Sequence, residues 1–567
     1  MTAGSSTRGR SHRRQAVAGL LILLFVVLVP IALSDYFCPP SSPAAEPVHV
    51  KILAVNDFHG QLPPGQNLNG EPAGSAPVLA SYLRSAVADG DRTATFIALP
   101  GDIVSASPPE SGLLLDEPTL LFFNSLADDY PEMIATFGNH EFDRGTDELL
   151  RMVRGGNGAT NVVRMVDPYP GAAAEYVCSN VVWRTNGTLL AAPYTIRDAG
   201  GAKIAFIGAT TVETPSIQKA INLEQVVFKN ETESINRYVL EVRQQGVHAI
   251  VVLLHEGGRQ EPYDGPTREG GNVTGRIAGI VAGLDPDVDV VLSGHTHAFT
   301  NAYLENAGEE PVLVTQAYSY SRAFADIDLV IDPLTGEVIY TSARIVPTYA
   351  DRPPGTSPDP EALSLLEMSE EAVGPMISRI ITVASANITR LQTDAGESTL
   401  GNLVADGQRA AMNTDIAFVT TGSLRAEIAE GTVTWGDLYA VQPFSSTVLS
   451  MTMTGDRVRD VLERQWETPL PPHNLAVSGL SYTFDERKPI GSRIVEVLVN
   501  GTPLDPSAEY TAAMVDFLAT GGDKYTTFRE GTNIVNGPFD VDALVAYMES
   551  LPEPAEMKPE GRIARVA

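Results

Sequence analysis

Apolar residues in this chain come in short unbroken runs, and five of these runs end on the same kind of residue. Val48 to Val55 runs into Asn56-Asp57-Phe58-His59, Thr95 to Leu99 into Pro100-Gly101-Asp102, and Met133 to Phe137 into Gly138-Asn139-His140-Glu141-Phe142-Asp143. Ala249 to Leu254 delivers His255, and Val288 to Ser293 delivers Gly294-His295-Thr296-His297. Strands buried on both faces read as continuous apolar runs, and ligands bind beyond the carboxyl ends of parallel strands. These tips are therefore expected to meet at one rim of a sheet, with Gly101, Gly138 and Gly294 letting the backbone turn sharply there. Stretches long enough for helices separate the runs from about Val48 to Thr348, the alternation of a layered α/β domain.

The alternation breaks at Asp351-Arg352-Pro353-Pro354-Gly355-Thr356-Ser357-Pro358-Asp359-Pro360, which cannot form a regular element. Glu361 to Val373 then reads as a helix leading into a second α/β region. The expected division is a first domain over 48–350, a linker and connecting helix over 351–375, and a second domain over 376–567. Ahead of them, Arg8, Arg10, Arg13 and Arg14 precede the uncharged apolar run Ala16 to Leu33, long enough to span about 27 Å as a helix. Residues 1–34 are expected to be a signal peptide or a membrane anchor. The run is longer than an ordinary signal core, yet Ala32-Leu33-Ser34 carries the small-x-small pattern of a cleavage site, so both readings stay open. A tether rich in Pro, Ser and Ala covers 35–47. Either reading places the body outside the cytoplasm: secreted, periplasmic, or at the cell surface and anchored by residues 16–33.

Composition narrows the partners. Hydrophobic residues make up 43% and charged residues 19% of 567, an ordinary globular mix that excludes a disordered, collagenous or multi-span membrane body. With 39 Lys+Arg against 70 Asp+Glu the net charge is -31, a field that repels phosphodiester backbones and argues against a nucleic-acid polymer as partner. The two cysteines, Cys38 and Cys178, are too few for a disulfide scaffold or a four-cysteine zinc site; one bridge and two free thiols are both allowed.

Each strand-end motif alone is ordinary, since Asp-x-His is commonly a loop cap and Gly-Asp a turn. Jointly they are not. Five of the nine histidines lie at these tips beside Asp57, Asp102 and Asn139, and a mixture of imidazole and carboxylate suits Zn²⁺, Mn²⁺ or Fe rather than a calcium cage. Neither His140-Glu141 nor His255-Glu256 has a His four residues on, so no zincin helix is present, and no Walker loop occurs.

The series Asp-x-His, Gly-Asp, Gly-Asn-His-Glu-Phe-Asp, strand-end His and Gly-His-x-His resembles the calcineurin-like metallophosphoesterases, and with the second domain it is most similar to their 5'-nucleotidase/UDP-sugar hydrolase family. That resemblance implies a four-layer αββα sandwich followed by a smaller α/β substrate-binding domain, and two divalent metal ions, Zn, Mn or similar. By the same resemblance Asp57, His59, Asp102 and His297 would hold one ion, and Asp102, Asn139, His255 and His295 the other. Position 297 is Gln in some family members. His140 and Asp143 match the family's catalytic pair, the carboxylate orienting an imidazole that stabilises charge on the phosphoryl group.

In the second domain Gly396 to Asp406 resembles the segment that opens the family's C-terminal domain. Gly422-Ser423-Leu424-Arg425 resembles its Gly-Gly-Ile-Arg turn, Phe444 and Phe517 its two aromatic walls, and Asp523 its ribose-binding acid. Arg409 is a candidate for a further substrate arginine. Stacking between rings tolerates any base, and Arg425 can fork onto phosphate oxygens. Where relatives place a base-contacting Asn, this chain has Thr420. The implied activity is an extracytoplasmic 5'-nucleotidase acting on a small nucleotide. UDP-sugar or nucleotide diphosphate hydrolysis, 2',3'-cyclic phosphodiester cleavage and thiosulfohydrolysis are alternatives on the same scaffold, and a non-catalytic surface binding protein is the remaining one. In the family the C-terminal domain rotates to deliver substrate, so 351–375 is expected to act as a hinge.

Overall fold

The computed structural model of the chain describes residues 46–88, 95–127, 132–158, 164–269, 272–467 and 475–566. The expected export segment, Cys38 and the tether up to residue 45 lie outside these residues. No helix among the described residues is long and apolar enough to cross a membrane.

Two six-stranded sheets form the centre of the first domain. One takes the order Val338–Pro347, Ala323–Ile331, Val48–Ala54, Thr95–Leu99, Met133–Ala135, Glu175–Tyr176; the other takes Phe299–Glu305, Pro311–Ala317, Val290–Ser293, Ala249–His255, Ala202–Thr210, Tyr194–Ala199. The unbroken apolar runs are explained by what lies on each face. Ile52, Ala54, Phe96 and Ala98 of the first sheet point inward and pack with Phe206, Val251, Leu253 and Leu292 of the second, all fully or almost fully buried. Their neighbours Leu53, Ile97 and Leu99 point outward and meet Leu79, Leu83, Phe122 and Phe123 of the helices Ala76–Ala88 and Glu117–Ala127. On the far side Ile250, Val252 and Leu254 meet Ile235, Val239 and Ile277 of the helices Glu231–Gln244 and Arg276–Val281. The layers are thus αββα.

Within each sheet the strands that carry the motifs are parallel. Val48–Ala54 pairs in parallel with Thr95–Leu99, which pairs in parallel with Met133–Ala135, while Ala249–His255 pairs in parallel with Val290–Ser293. Parallel pairing brings their carboxyl ends to a common edge, so the polar residues that follow each run converge. Each fully buried Val, Leu, Ile or Phe contributes about 1.5–3 kcal/mol relative to exposure, which makes the two sheets a rigid base for strained loops.

The connecting helix spans Pro360–Ile377. Asp359 caps it, accepting from Glu361 N at 3.1 Å and Ala362 N at 3.0 Å, and Pro360 takes the first helical position, where its missing N–H leaves nothing unpaired. The Gly374-Pro375 pair, a stop signal in sequence, falls inside the helix, because burial of Leu366, Ser369 and Val373 outweighs the one hydrogen bond that Pro375 removes. This helix packs on both domains, touching Ala76–Ala88 and Glu117–Ala127 of the first and Trp435–Val441 of the second.

The second domain holds a mixed five-stranded sheet, Leu475–Ser478, Ile416–Thr420, Glu509–Val515, Thr447–Thr454, Thr532–Phe539, and a four-stranded sheet around Leu480–Phe484. Helix Thr399–Met412, capped by Ser398 through Gly401 N at 3.1 Å, packs with Asp540–Ser550 against the first of these. Ile416–Thr420 ends in a 3₁₀ turn, Thr421–Ser423, which presents Arg425.

Candidate active site

The loops at the common edge are strained and mutually bonded. Asp57, His59, Asp102, His295 and His297 all take left-handed backbone, with φ of 49, 48, 52, 74 and 55°. For non-glycine residues that costs of order 1–3 kcal/mol each and persists only where the surroundings over-determine it. Here Asp57 N donates to Gly101 O at 3.2 Å, His59 N to Asp102 O at 3.0 Å, and His295 N to the Asp57 carboxylate at 2.9 Å. Of the three glycines expected to provide sharp turns, only Gly101 has left-handed backbone, at φ 88°. Gly138 is needed for space instead: a Cβ there would lie 2.1 Å from Asp102 Oδ1.

Eight of the side chains singled out in sequence meet here. Asp57, His59 and His297 form one group with ligand atoms within 4.8 Å of one another, Asp102, His255 and His295 a second, and His59, Asp102 and His140 a third. Asn139 joins them, its Oδ1 3.2 Å from His255 Nε2. Asp102 lies between the groups, its Oδ2 3.1 Å from His255 Nε2 and 3.7 Å from His59 Nε2.

The hydrogen bonds on the outer side of the rings decide whether these residues suit a cation. His59 Nδ1 faces Ser105 O at 2.9 Å and His255 Nδ1 faces Pro100 O at 3.0 Å. A carbonyl only accepts, so both rings carry a proton on Nδ1 and aim Nε2 toward Asp102 and, for His59, toward His297 Nε2 at 3.1 Å. Nε2 atoms converging with carboxylate and amide oxygens form a donor set that suits a divalent metal once Nε2 is free of its proton.

The electrostatics agree. Burial, with Arg425 beside it, holds His59 well below the usual imidazole range, and burial likewise lowers His295 and His297. Burial opposes charge on His255, but the Asp102 carboxylate outweighs it and lifts that imidazole to about 10. Asp102 itself sits well below the usual carboxylate range: burial pushes it up, and His255 and His140 more than reverse this. The centre thus demands positive charge around Asp102.

His140 stands apart from the inward-turned nitrogens. Its Nδ1 lies 2.8 Å from Asp143 Oδ2 and its backbone N donates to Asp102 Oδ1 at 2.8 Å. Burial lowers it, yet Asp143 and Asp102 raise it above the ordinary value, favouring the imidazolium.

From the second domain, Arg425 Nη2 comes within 3.5 Å of His59 Nε2, and its guanidinium lies 5.7 Å from the centre of the Phe444 ring. Phe444 in turn stacks on His140 at 6.0 Å. Phe517 packs against Gly522, and Asp523, at φ 52°, accepts from Thr420 Oγ1 at 2.7 Å. Arg409 is not brought to this cluster. Its Nε donates to Ser478 Oγ at 2.7 Å, and Ser478 pairs with Ala417 at the start of the strand whose far end, Thr420, faces Asp523. Arg409 lies one turn from the end of helix Thr399–Met412, where its side chain reaches Ser478.

Two contributors escaped the sequence reading. Glu141 is buried and accepts from Asp102 N, Ile103 N and Gly138 N at 3.0, 2.8 and 2.5 Å, so one carboxylate ties two ligand loops together. Burial, with Asp102 adjacent, lifts it to about 7. Its place beside His140 in a strand-end loop was the available signal. Tyr320 sets its ring 5.4 Å from His59 and 5.1 Å from His297, and nothing in Tyr318-Ser319-Tyr320-Ser321 marks it.

Comparison with known proteins fits this geometry. Residues 50–299 match the calcineurin-like phosphoesterase family model and residues 377–530 the 5'-nucleotidase C-terminal domain. The chain is 30% identical over 547 residues to the cell wall protein Lmo0130 of Listeria monocytogenes, covering 89% of this chain and 68% of that protein. The chain belongs to the 5'-nucleotidase family of calcineurin-like phosphoesterases. As a family member it is also 32% identical over 527 residues to the endonuclease YhcR of Bacillus subtilis, spanning 91% of this chain but 41% of that longer protein. Among solved structures, the 5'-nucleotidase precursor of Thermus thermophilus superposes with a TM-score of 0.76 at 26% identity, over 91% of this chain and 99% of that one. Membership of the 5'-nucleotidase family carries phosphoric-ester hydrolysis as its class of chemistry.

Proposed function

We propose that this chain is an extracytoplasmic, two-metal 5'-nucleotidase that cleaves nucleoside 5'-monophosphates to nucleoside and phosphate. The observation that supports the reading is Arg425 of the second domain reaching within 3.5 Å of His59 in the cluster of the first, a guanidinium beside the residues that would hold the ions. Asp57, His59, Asp102 and His297 would hold one ion and Asp102, Asn139, His255 and His295 the other. Such ions supply charge neutralisation of phosphoryl oxygens and a lowered pKa for water. His140, held by Asp143, presents Nε2–H to the phosphoryl group and stabilises the charge that grows on it. Arg425 orients the phosphate through paired N–H donors. Asp523 keeps one oxygen for ribose hydroxyls while Thr420 occupies the other, and Phe444 and Phe517 offer apolar faces to the base. An extracytoplasmic location is supported by the apolar run at 16–33 and by a relative named as a cell wall protein.

A second reading, phosphodiester cleavage, is favoured by the similarity to a protein named as an endonuclease. The net charge of -31 weighs against a polymeric substrate. Rates on AMP, UDP-glucose, ATP, cyclic nucleotides and a single-stranded oligonucleotide separate the two. The expected result is the highest kcat/KM on AMP, lost on chelation and restored by Zn²⁺ or Mn²⁺. Preference for the oligonucleotide, or full activity after chelation, would overturn the proposal.

A further inference from the structure

Three guanidiniums gather beside the ligand cluster, and two of them, Arg322 and Arg390, have no part in the assignments above. Arg322 follows Tyr318-Ser319-Tyr320-Ser321, where Tyr318, Tyr320 and Ser321 take left-handed backbone at φ 57, 57 and 56°. The surroundings hold this strained segment in place. Tyr320 N donates to Asp57 O at 2.8 Å, Asn56 Nδ2 to Tyr318 O at 2.6 Å, and Ser75 N to Ser321 Oγ at 2.8 Å. The Tyr320 ring thereby meets His59 and His297, and the guanidiniums of Arg322 and Arg425 lie 5.7 and 6.0 Å from its centre. In the second domain, Arg390 Nη1 donates to the carbonyl of Leu424, the residue before Arg425, at 3.2 Å.

Among the described residues no carboxylate pairs with any of the three guanidiniums. Arg322 uses Nε and Nη2 on the carbonyl and hydroxyl of Ser319, at 3.0 and 2.8 Å. Arg425 keeps Nε buried without a hydrogen-bond partner. Glu427, the acid nearest Arg390 in these contacts, accepts from its backbone N. Burial lowers Arg322 from its ordinary value; Tyr320 and Tyr318 offset part of this, and the like charge of Arg390 adds to the lowering. In a chain where 70 acids outnumber 39 bases, three convergent arginines without an acid are electrostatically unfavourable unless an anion joins them. Guanidiniums supply planar N–H pairs suited to phosphate oxygens.

We propose that Arg322 is a specificity-determining residue: reaching from the first domain toward Arg390 and Arg425 of the second, it grips an anionic group next to the phosphoryl group held at the ligand cluster. It rests on the nucleotide reading above and adds that the chain discriminates between substrates by this second anion, as between a nucleoside diphosphate and a monophosphate.

The test uses the full chain loaded with Mn²⁺, as wild type, Arg322→Gln and Arg322→Lys. Arg322→Gln is expected to lower the ratio of kcat/KM for ADP over AMP by about 10-fold or more, the worth of one charged hydrogen bond, mainly through KM. Arg322→Lys, which keeps the charge, is expected to recover part of that ratio. A readout independent of turnover is calorimetric binding of inorganic pyrophosphate against orthophosphate, where Arg322→Gln should lose the preference for pyrophosphate by a similar factor. A ratio unchanged in Arg322→Gln, or equal losses on both nucleotides and both inorganic anions, would overturn the proposal. Absence of nucleotide turnover with the pyrophosphate preference intact in wild type and lost in Arg322→Gln would instead refute the nucleotidase reading and leave the anion subsite standing.

Discussion

His140 shows how a single side chain is set apart from its neighbours by hydrogen bonding. The rings of His59 and His255 give Nδ1 to backbone carbonyls and turn Nε2 inward, whereas His140 gives Nδ1 to the Asp143 carboxylate at 2.8 Å. The first arrangement suits a metal ligand and the second a proton donor. His140→Ala is accordingly expected to retain two metal ions per chain by elemental analysis while turnover falls about 10²–10⁴-fold; loss of metal with turnover would reassign it as a ligand. In the second domain, Asp540 is buried and its carboxyl is pushed up to about 7, chiefly by burial. Unfolded, an aspartate titrates near 3.9. Between about pH 4 and pH 7 the unfolded chain therefore releases this proton before the folded chain does, and this group's contribution to stability falls as pH rises. Asp540→Asn keeps an acceptor for Val541 N and removes the titration. Thermal melts should show it stabilised relative to wild type at pH 8 and indistinguishable at pH 4; equal melts at pH 8 would count against the burial argument.

The loops after the parallel strands act as coupled units. Glu141 accepts backbone N–H groups from the Asp102 loop and from Gly138, so the second and third ligand loops share one anchor. Gly138 lets them approach, with no room for a Cβ beside Asp102 Oδ1. Gly138→Ala is expected to destabilise the fold by about 1–3 kcal/mol, the usual cost of overpacking, and to reduce metal content, measured by denaturant unfolding and elemental analysis. A variant with native metal content and rate would show that the Asp102 loop has slack that the packing does not reveal.

Between the domains, polar contacts stand beside apolar ones such as Leu113 against the core of the second domain. Lys524 Nζ meets Glu213 Oε1 at 2.8 Å and Lys219 Nζ meets Asp516 Oδ2 at 3.2 Å, alongside Arg425 near His59 and Phe444 on His140. Partly exposed ion pairs are worth roughly 0–1 kcal/mol each, so these two would add little resistance to a motion of the second domain about the connecting helix. If delivery of substrate needs that motion, a Glu213→Cys/Lys524→Cys chain in a Cys38→Ser background, bridged by a short bismaleimide, should lose most of its turnover while the unbridged chain keeps it. Undiminished turnover in the bridged chain would remove the hinge role from residues 351–375. Cys178 is buried and does not compete for the reagent.

Much of this architecture is local and was legible in the chain. Apolar runs such as Ala249 to Leu254 demand burial on both faces, which produces sandwiched parallel strands, and residues that directly follow a strand in the chain must appear at its tip. That Asp57, His59, Asp102, Asn139, His255, His295 and His297 would meet at one sheet edge was read in that way, because chain adjacency to a strand end is preserved on folding. What depends on approach between distant segments was not legible. The meeting of Arg425 with His59, Glu141 spanning two loops, the Nδ1 protons set by Ser105 and Pro100, and Arg322 and Arg425 sharing the Tyr320 ring all arise from packing of segments far apart in the chain. Arg409 shows the converse, since the helix turn on which it lies, and not its residue type, directs it to Ser478. Hydrophobic periodicity specifies which residues are inside; only the folded chain determines which polar groups then face one another, because those pairings depend on distances that no local pattern encodes.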